Sequence, residues 1–477
     1  MKRLVLFLVT VGVLCLPVSA VGKPTPADRI ATQQLLAKLI AIRTVKGEGQ
    51  VPKAVDLLVE TLKVGGFTDA DIVRTPVTVG NEPTMGLVVR YASANPTRKP
   101  IAILAHMDVV GVVAKNWHTD PFQPIEKDGY LYGRGSIDNK FAVALLVNTF
   151  VRLKREGFVP DRDLVLALAG DEESGMLTSR ANIQQPFVRD AEYALNADAG
   201  GGSMSDDGTP IQFTLQAAEK TSATFTIAAS NRGGHSALPR PDNAIYSLSH
   251  AMVKLEELRF PVEFTEISRA MTVRSAKQMG GKIGLALERL LADPTDRAAV
   301  ETLRAYPEFF SILSTSCVAT MLSAGNAPNA LPQNATATVN CRILPGQSVS
   351  SIMEKITTQL NDPTLTITLD GEAVESPASP IRSDVLAALT LAVQANYPGF
   401  APQPTISTGG TEGREYRRAG IPTYGAGSLT KIVADNRAHG TDERLPLEPF
   451  YKELTYWDVL FHEVGKPLES PAGKPLP

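Results

Sequence analysis

The feature that most constrains this chain is a short apolar run that ends on a histidine. Residues 101–105 read IAILA, and the next polar side chains are His106 and Asp108. A run of that length fits a strand buried on both faces. It places an imidazole and a carboxylate where the strand leaves its sheet, which is where a metal-binding histidine is useful. Thirty residues on, Gly133, Arg134, Gly135, Ser136, Ile137 and Asp138 form a glycine-rich turn, and a helix-like segment follows over 140–155. The turn delivers the Asp138 carboxylate to the same end of an adjacent element.

The pattern recurs. Residues 164–170 are followed by Asp171, Glu172 and Glu173, and residues 193–197 by Asp198. In open α/β sheets, ligands bind outside the carboxyl ends of the strands, so these side chains are expected to meet in one crevice. Each has a plainer role available. Asp138 alone serves as a helix N-cap, Asp198 alone as a turn residue, and adjacent acids are often a solvated turn. After a buried strand, however, neighbouring carboxylates repel one another and lose hydration, which calls for a compensating cation. Asp108, two residues beyond His106, is expected to fix the imidazole's orientation. His118, His250 and His462 lack acidic company of this kind.

Helical spacing over 30–40, 55–62 and 141–155 alternates with apolar runs at 86–91, 101–105, 164–169 and 193–197. That alternation predicts a layered α/β domain. A second region begins near residue 216. It has a half-exposed strand over 221–229, a helix over 243–257, a charged helical stretch over 282–303, a helix over 349–360 and a strand over 365–369. These elements predict an α+β lid inserted into the first domain, with the helical stretch as an addition. The expected division is 1–20 as an export signal, 21–215 with 376–477 as the catalytic domain, and 216–375 as the lid.

The start of the chain has the layout of a signal peptide. Lys2 and Arg3 precede an apolar stretch over 4–16, and Val18, Ser19 and Ala20 are small, so cutting is expected after Ala20 and the product outside the cytoplasm. A membrane anchor is the alternative, although a run of this length falls short of the ~20 residues a span needs. No later segment is long and apolar enough to cross a bilayer, and the tail from residue 465, rich in Pro and Lys, is expected to be disordered. A net charge of −3 with scattered Lys and Arg argues against nucleic acid and anionic membrane as partners. Cys317 and Cys341 lie in strand-like stretches over 316–323 and 336–344. As an antiparallel hairpin centred near Asn329 these would face each other, either as a disulfide or as two free thiols.

The motifs HMD, GRGSIDNK, DEESG, NADAG, GGHSALP, NALP, CRILPG, GGTEGR and HGTDE occur in this order. Together they resemble the zinc-dependent aminoacylase and carboxypeptidase family that includes glutamate carboxypeptidase, acetylornithine deacetylase and succinyl-diaminopimelate desuccinylase. The run HMDVV, W, PF, DG, YGRG is most similar to its carboxypeptidase S branch. The resemblance implies two zinc ions per subunit: His106 and Asp198 on one, Glu173 and His439 on the other, Asp138 bridging both. Cobalt or manganese is accepted by the same donors. It further implies Glu172 as the general base, His235 as the group that steadies the tetrahedral oxyanion, often from a partner subunit, and Asn329 and Arg342 as substrate-holding residues, with Gly409, Gly410 and Thr411 beside them. A homodimer through the lid is implied in the same way.

Two departures stand out. Glu412 occupies a position where many relatives carry aspartate, and Asp198 one where the biosynthetic deacylases often carry glutamate, which favours a peptidase-like branch. The expected activity is hydrolysis of the amide next to a free C-terminal carboxylate in short peptides or N-acyl amino acids. The alternatives are a di- or tripeptidase that senses the amino end and a catalytically inactive binding protein of the same fold.

Overall fold

A computed structural model describes residues 23–467. The expected export signal lies outside these residues, as does the expected disordered tail beyond residue 467.

The chain forms an eight-stranded sheet with the spatial order Ile72–Val79, Glu82–Tyr91, Leu164–Ala169, Ile101–His106, Tyr193–Met204, Thr423–Ile432, Pro210–Glu219 and Pro402–Ser407. The central strands Leu164–Ala169, Ile101–His106 and Tyr193–Met204 run parallel, with Thr423–Ile432 parallel to the last. Every residue of Ile101–His106 and Leu164–Ala169 is buried, as a strand covered on both faces requires. Alternation decides which face each side chain fills. Ile101, Ile103 and Ala105 join the larger core with the helices Pro26–Ala41, Val51–Val64, Lys140–Arg155 and Leu447–Gly465. Ala102 and Leu104 point the other way, into a smaller core with Ile183, Val188, Tyr416 and Ile421. Each fully buried Leu or Ile contributes about 1.5–3 kcal/mol, so the middle of the sheet is a rigid base for whatever its strand ends carry.

The α/β class follows the pattern in the sequence, but two details differ. Strand Pro210–Glu219 belongs to the large sheet, where Pro402–Ser407 pairs with it in parallel. The expected lid boundary at residue 216 therefore falls inside a strand of the catalytic sheet, and the lid sheet starts at Thr221. The expected single helical stretch over 282–303 is part of four helices, Glu266–Met279, Gly281–Ala292, Arg297–Arg304 and Pro307–Phe310. Gly280, at φ +55°, separates the first two, and Asp293 and Pro294 interrupt the next. These helices share a small core of their own around Leu287, Leu290, Leu303 and Leu313.

The lid is a four-stranded antiparallel sheet in the order Ser316–Ala324, Asn334–Ile343, Thr221–Ser230, Leu365–Asp370. The helices Ala244–Glu257 and Val349–Leu360 cover one face. Cys317 stands opposite Cys341 in the register, and the two form a disulfide with Cα atoms 4.0 Å apart.

Candidate active site

His106 is the last residue of its strand and is buried. Its Nδ1 lies 3.0 Å from the Asp108 carbonyl oxygen. A carbonyl only accepts, so Nδ1 carries a proton, and Nε2 meets the carboxylates either with a second proton or, with a cation between, through its lone pair. That Nε2 faces Asp138 Oδ1 at 3.0 Å and Asp198 Oδ1 at 3.6 Å. On the far side of Asp138 the arrangement repeats. His439 Nε2 lies 3.1 Å from Asp138 Oδ2 and 2.8 Å from Glu173 Oε1. Asp138 thus offers one oxygen to each half. Among the described residues, His106, Asp138 and Asp198 form one group of potential ligands, and Asp138, Glu173 and His439 another, with donor atoms in each group within 4.8 Å of one another.

Local structure explains the convergence. His106 ends its strand, Glu173 follows the end of the parallel neighbour Leu164–Ala169, and Asp198 lies within the third, Tyr193–Met204. Asp138 arrives on the glycine-rich turn, where Gly135 has φ +83°; a Cβ there would meet Val109 at 2.7 Å and Lys140 at 2.9 Å. His439 sits at φ +62°, a left-handed conformation that costs a residue with a Cβ about 1–2 kcal/mol. Such strain persists only where the surroundings impose it.

Asp108 does more than face the imidazole. Its carboxylate lies 3.5 Å from His106 Nδ1, and its backbone carbonyl accepts from the same nitrogen at 3.0 Å. The two carboxylate oxygens also accept from Glu172 N and Glu173 N, each at 3.0 Å. Asp108 therefore fixes the peptide that carries both glutamates.

Glu172 points to the third corner, in a group with Asp198 and Glu412. Burial, then repulsion from Asp198, Glu412 and Asp108, pushes its carboxyl well above the usual range, against the pull of His106. Burial and Asp198 push Glu412 up to about 8, and burial brings Asp198 to about 6 despite His106. Asp138 goes the other way: burial opposes its ionisation, but hydrogen bonds from His106 and His439 hold it well below the carboxylate range. His439 rises to about 10 through its bonds to Asp138 and Glu173. Nothing in the sequence marks Glu412 beyond its departure from the family pattern. It is fully buried, its Oε2 accepts from Asn196 Nδ2 at 3.2 Å, and its Oε1 has no hydrogen-bond partner among the described residues. Asn196 also joins the site through Oδ1, which accepts from Asp198 N at 2.8 Å.

The remaining expected residues fall into two places. Gly409, Gly410 and Thr411 follow strand Pro402–Ser407. The glycines are exposed, while Thr411 is buried, donates from N to Glu219 Oε2 at 2.8 Å and meets Asn196 Nδ2 at 3.3 Å. His235 and Asn329 lie together in the lid, where His235 pairs with Ala330 and Ser236 N donates to the Asn329 carbonyl. His235 is exposed and belongs to neither ligand group. Arg342 is half-buried in strand Asn334–Ile343, level with Ser316 and Ser222. Burial, and then the Arg342 charge, lowers nearby Lys220 to about 8.

This donor set fits two divalent cations of borderline hardness. Two imidazole nitrogens that face carboxylate oxygens need either a second proton each or a cation between, and half-buried Glu172 and Asp198 with buried Glu412 beside them add negative charge. An α/β sheet with such a cluster at its carboxyl edge and a lid inserted between its strands is the architecture of a metal-dependent hydrolase. The profile of Peptidase family M20/M25/M40 matches residues 102–462, and the chain belongs to that family, whose enzymes are metal-dependent. Among curated relatives it is 27% identical over 407 residues to the probable carboxypeptidase S-like 2 of Dictyostelium discoideum, covering 79% of this chain and 73% of that one. It is 26% identical over 373 residues to the N-fatty-acyl-amino acid synthase/hydrolase PM20D1 of Homo sapiens, covering 76% and 74%. The structure of the M20 family metallo-carboxypeptidase Sso-CP2 from Sulfolobus solfataricus superposes with a TM-score of 0.68 at 16% identity, over 91% of this chain and 99% of that one.

Proposed function

We propose that this enzyme is an exported dizinc hydrolase that cleaves the amide next to a free C-terminal carboxylate in short peptides or N-acyl amino acids. The observation that carries the reading is Asp138, with one oxygen toward His106 and the other toward His439. His106 and Asp198 would hold one zinc, Glu173 and His439 the other, with Asp138 between them. When bound, the pair would polarise the scissile carbonyl and lower the pKa of the attacking water.

Glu172 is the base. Its carboxyl is raised by burial and by neighbouring acids, conditions that bring a carboxylate's proton affinity toward neutrality. It accepts the water's proton and returns it to the departing amine nitrogen. Asp108 holds Glu172 in place through the backbone. His235 reaches the developing oxyanion from the lid of a second copy, and Arg342 pairs in a two-pronged contact with the substrate's carboxylate. The names of the relatives, a carboxypeptidase and an acyl-amino-acid hydrolase, support a substrate that ends in a free amino-acid carboxylate.

A mass-spectrometric screen of dipeptides and N-acyl amino acids, each with free and amidated ends, tests this with and without zinc and chelator. Turnover should require metal and strongly favour a free carboxylate, and Arg342→Ala should raise KM for free-ended substrates while leaving the slow turnover of amidated ones unchanged. Equal turnover of amidated substrates, or cleavage that survives full chelation, would reject the assignment.

A further inference from the structure

The two loops that supply Asp138 and His439 are tied to each other by a pair of charged residues that are not among the expected site residues. Glu443, four residues beyond His439, is fully buried, and so is Arg134, four residues before Asp138. Glu443 lies on the His439 side but grips the Asp138 side. Its Oε1 accepts from Ile137 N at 2.9 Å and Asp138 N at 3.1 Å, and its Oε2 accepts from Gly135 N at 3.0 Å and Arg134 Nη1 at 2.5 Å. Arg134 lies on the Asp138 side but grips the His439 side. Its Nη2 donates to the Gly440 carbonyl at 3.1 Å and the His439 carbonyl at 3.3 Å.

We propose that Arg134 and Glu443 form a reciprocal brace that sets the separation between Asp138 and His439 and so governs affinity for the cation that these two share with Glu173. The inference rests on the two-metal reading. A carboxylate buried this deeply is costly unless its lone pairs are filled, and here three backbone N–H groups and a guanidinium fill them. All three of those N–H groups lie in the turn that delivers Asp138, the last of them on Asp138 itself. On the other side, Arg134 fixes the carbonyl of the residue held in the left-handed conformation. Neither ligand loop can shift without breaking bonds made by the other. Arg134 and Glu443 are positioning residues: they act through Asp138 and His439.

Glu443→Gln replaces one acceptor oxygen by an NH2 group, which must then face backbone N–H donors or the guanidinium. Arg134→Lys keeps the charge and loses the fork. The test is competition titration of the metal-free protein with zinc against a chromophoric chelator. Wild type should take up two equivalents. In each variant the equivalent held by Glu173 and His439 with Asp138 should bind about tenfold or more weakly, the range seen when groups supporting a metal ligand are removed, and the other should weaken less. At limiting zinc, kcat should fall with KM unchanged, and excess zinc should restore it. A purely structural role would lower the melting temperature and leave the second affinity alone. Wild-type affinity for both equivalents in a folded variant would overturn the brace, and if Glu443→Gln does not fold, Arg134→Lys decides. Fewer than two equivalents in wild type would instead remove the two-metal reading beneath it.

Discussion

At the scale of single residues, the site depends on what each acid is asked to do by its neighbours. Glu172 and Glu173 are adjacent and chemically equal, yet Glu173 faces His439 while Glu172 faces Asp198 and Glu412. The split follows from Asp108, which pins both backbone N–H groups at 3.0 Å and lets the side chains diverge. Glu172→Gln is isosteric, so it should retain the metal content of wild type while kcat falls by about 10²–10⁴, the usual contribution of a general base. Elemental analysis alongside single-turnover kinetics checks this, and undiminished kcat in a fully loaded variant would move the base elsewhere. His106, Asp138, Glu173 and Asp198 were legible because each follows an apolar run or a glycine turn. The work of Asp108 was not, because its partners lie 64 and 65 residues away and are backbone atoms without a sequence signature. Glu443 and Arg134 escaped for a similar reason: they bond each other across 309 residues, and their other partners are amides and carbonyls.

At the scale of elements, the strand pattern carried the fold and failed where polar residues interrupt it. Ile101–His106 and Leu164–Ala169 are apolar throughout and read as buried strands. Pro210–Glu219 opens on exposed residues and ends on buried Gln216 and Glu219, so only the tertiary pairing with Pro402–Ser407 reveals it. The lid's outer strand, Ser316–Ala324, is the element with unfinished business. It is an edge, and Val318, Met321 and Leu322 are 57%, 68% and 66% exposed. Beside it, Ile245, Leu248, Met252 and Leu322 line a cavity of about 310 Å³. An exposed apolar edge is a template for pairing with another chain. The proposed role of His235 at a neighbouring site needs a second copy, and we place that copy on this edge. Light scattering should therefore report a dimer, and Met321→Lys with Leu322→Lys should give monomers with reduced kcat and unchanged metal content. A wild-type monomer at micromolar concentration would contradict this.

At the scale of the whole molecule, residues from 106 to 439 meet because a parallel sheet puts the ends of non-consecutive strands side by side. The sheet centre supplies rigidity, the loops supply donors, and the inserted lid carries His235, Asn329 and Arg342, the residues proposed to reach a substrate. The lid's place in the chain was legible, because α/β alternation stops and resumes around it. Its exact start was not, because the strand before it hides its polar end in the core. If Asp138 joins two cation sites into one, its removal must cost the chain a cation. Equilibrium dialysis against zinc followed by elemental analysis, on wild type and Asp138→Ala, tests it most directly. Two zinc ions are expected per wild-type chain and at most one, with activity lost, in the variant; two tightly held zinc ions without the Asp138 carboxylate would contradict a bridging role.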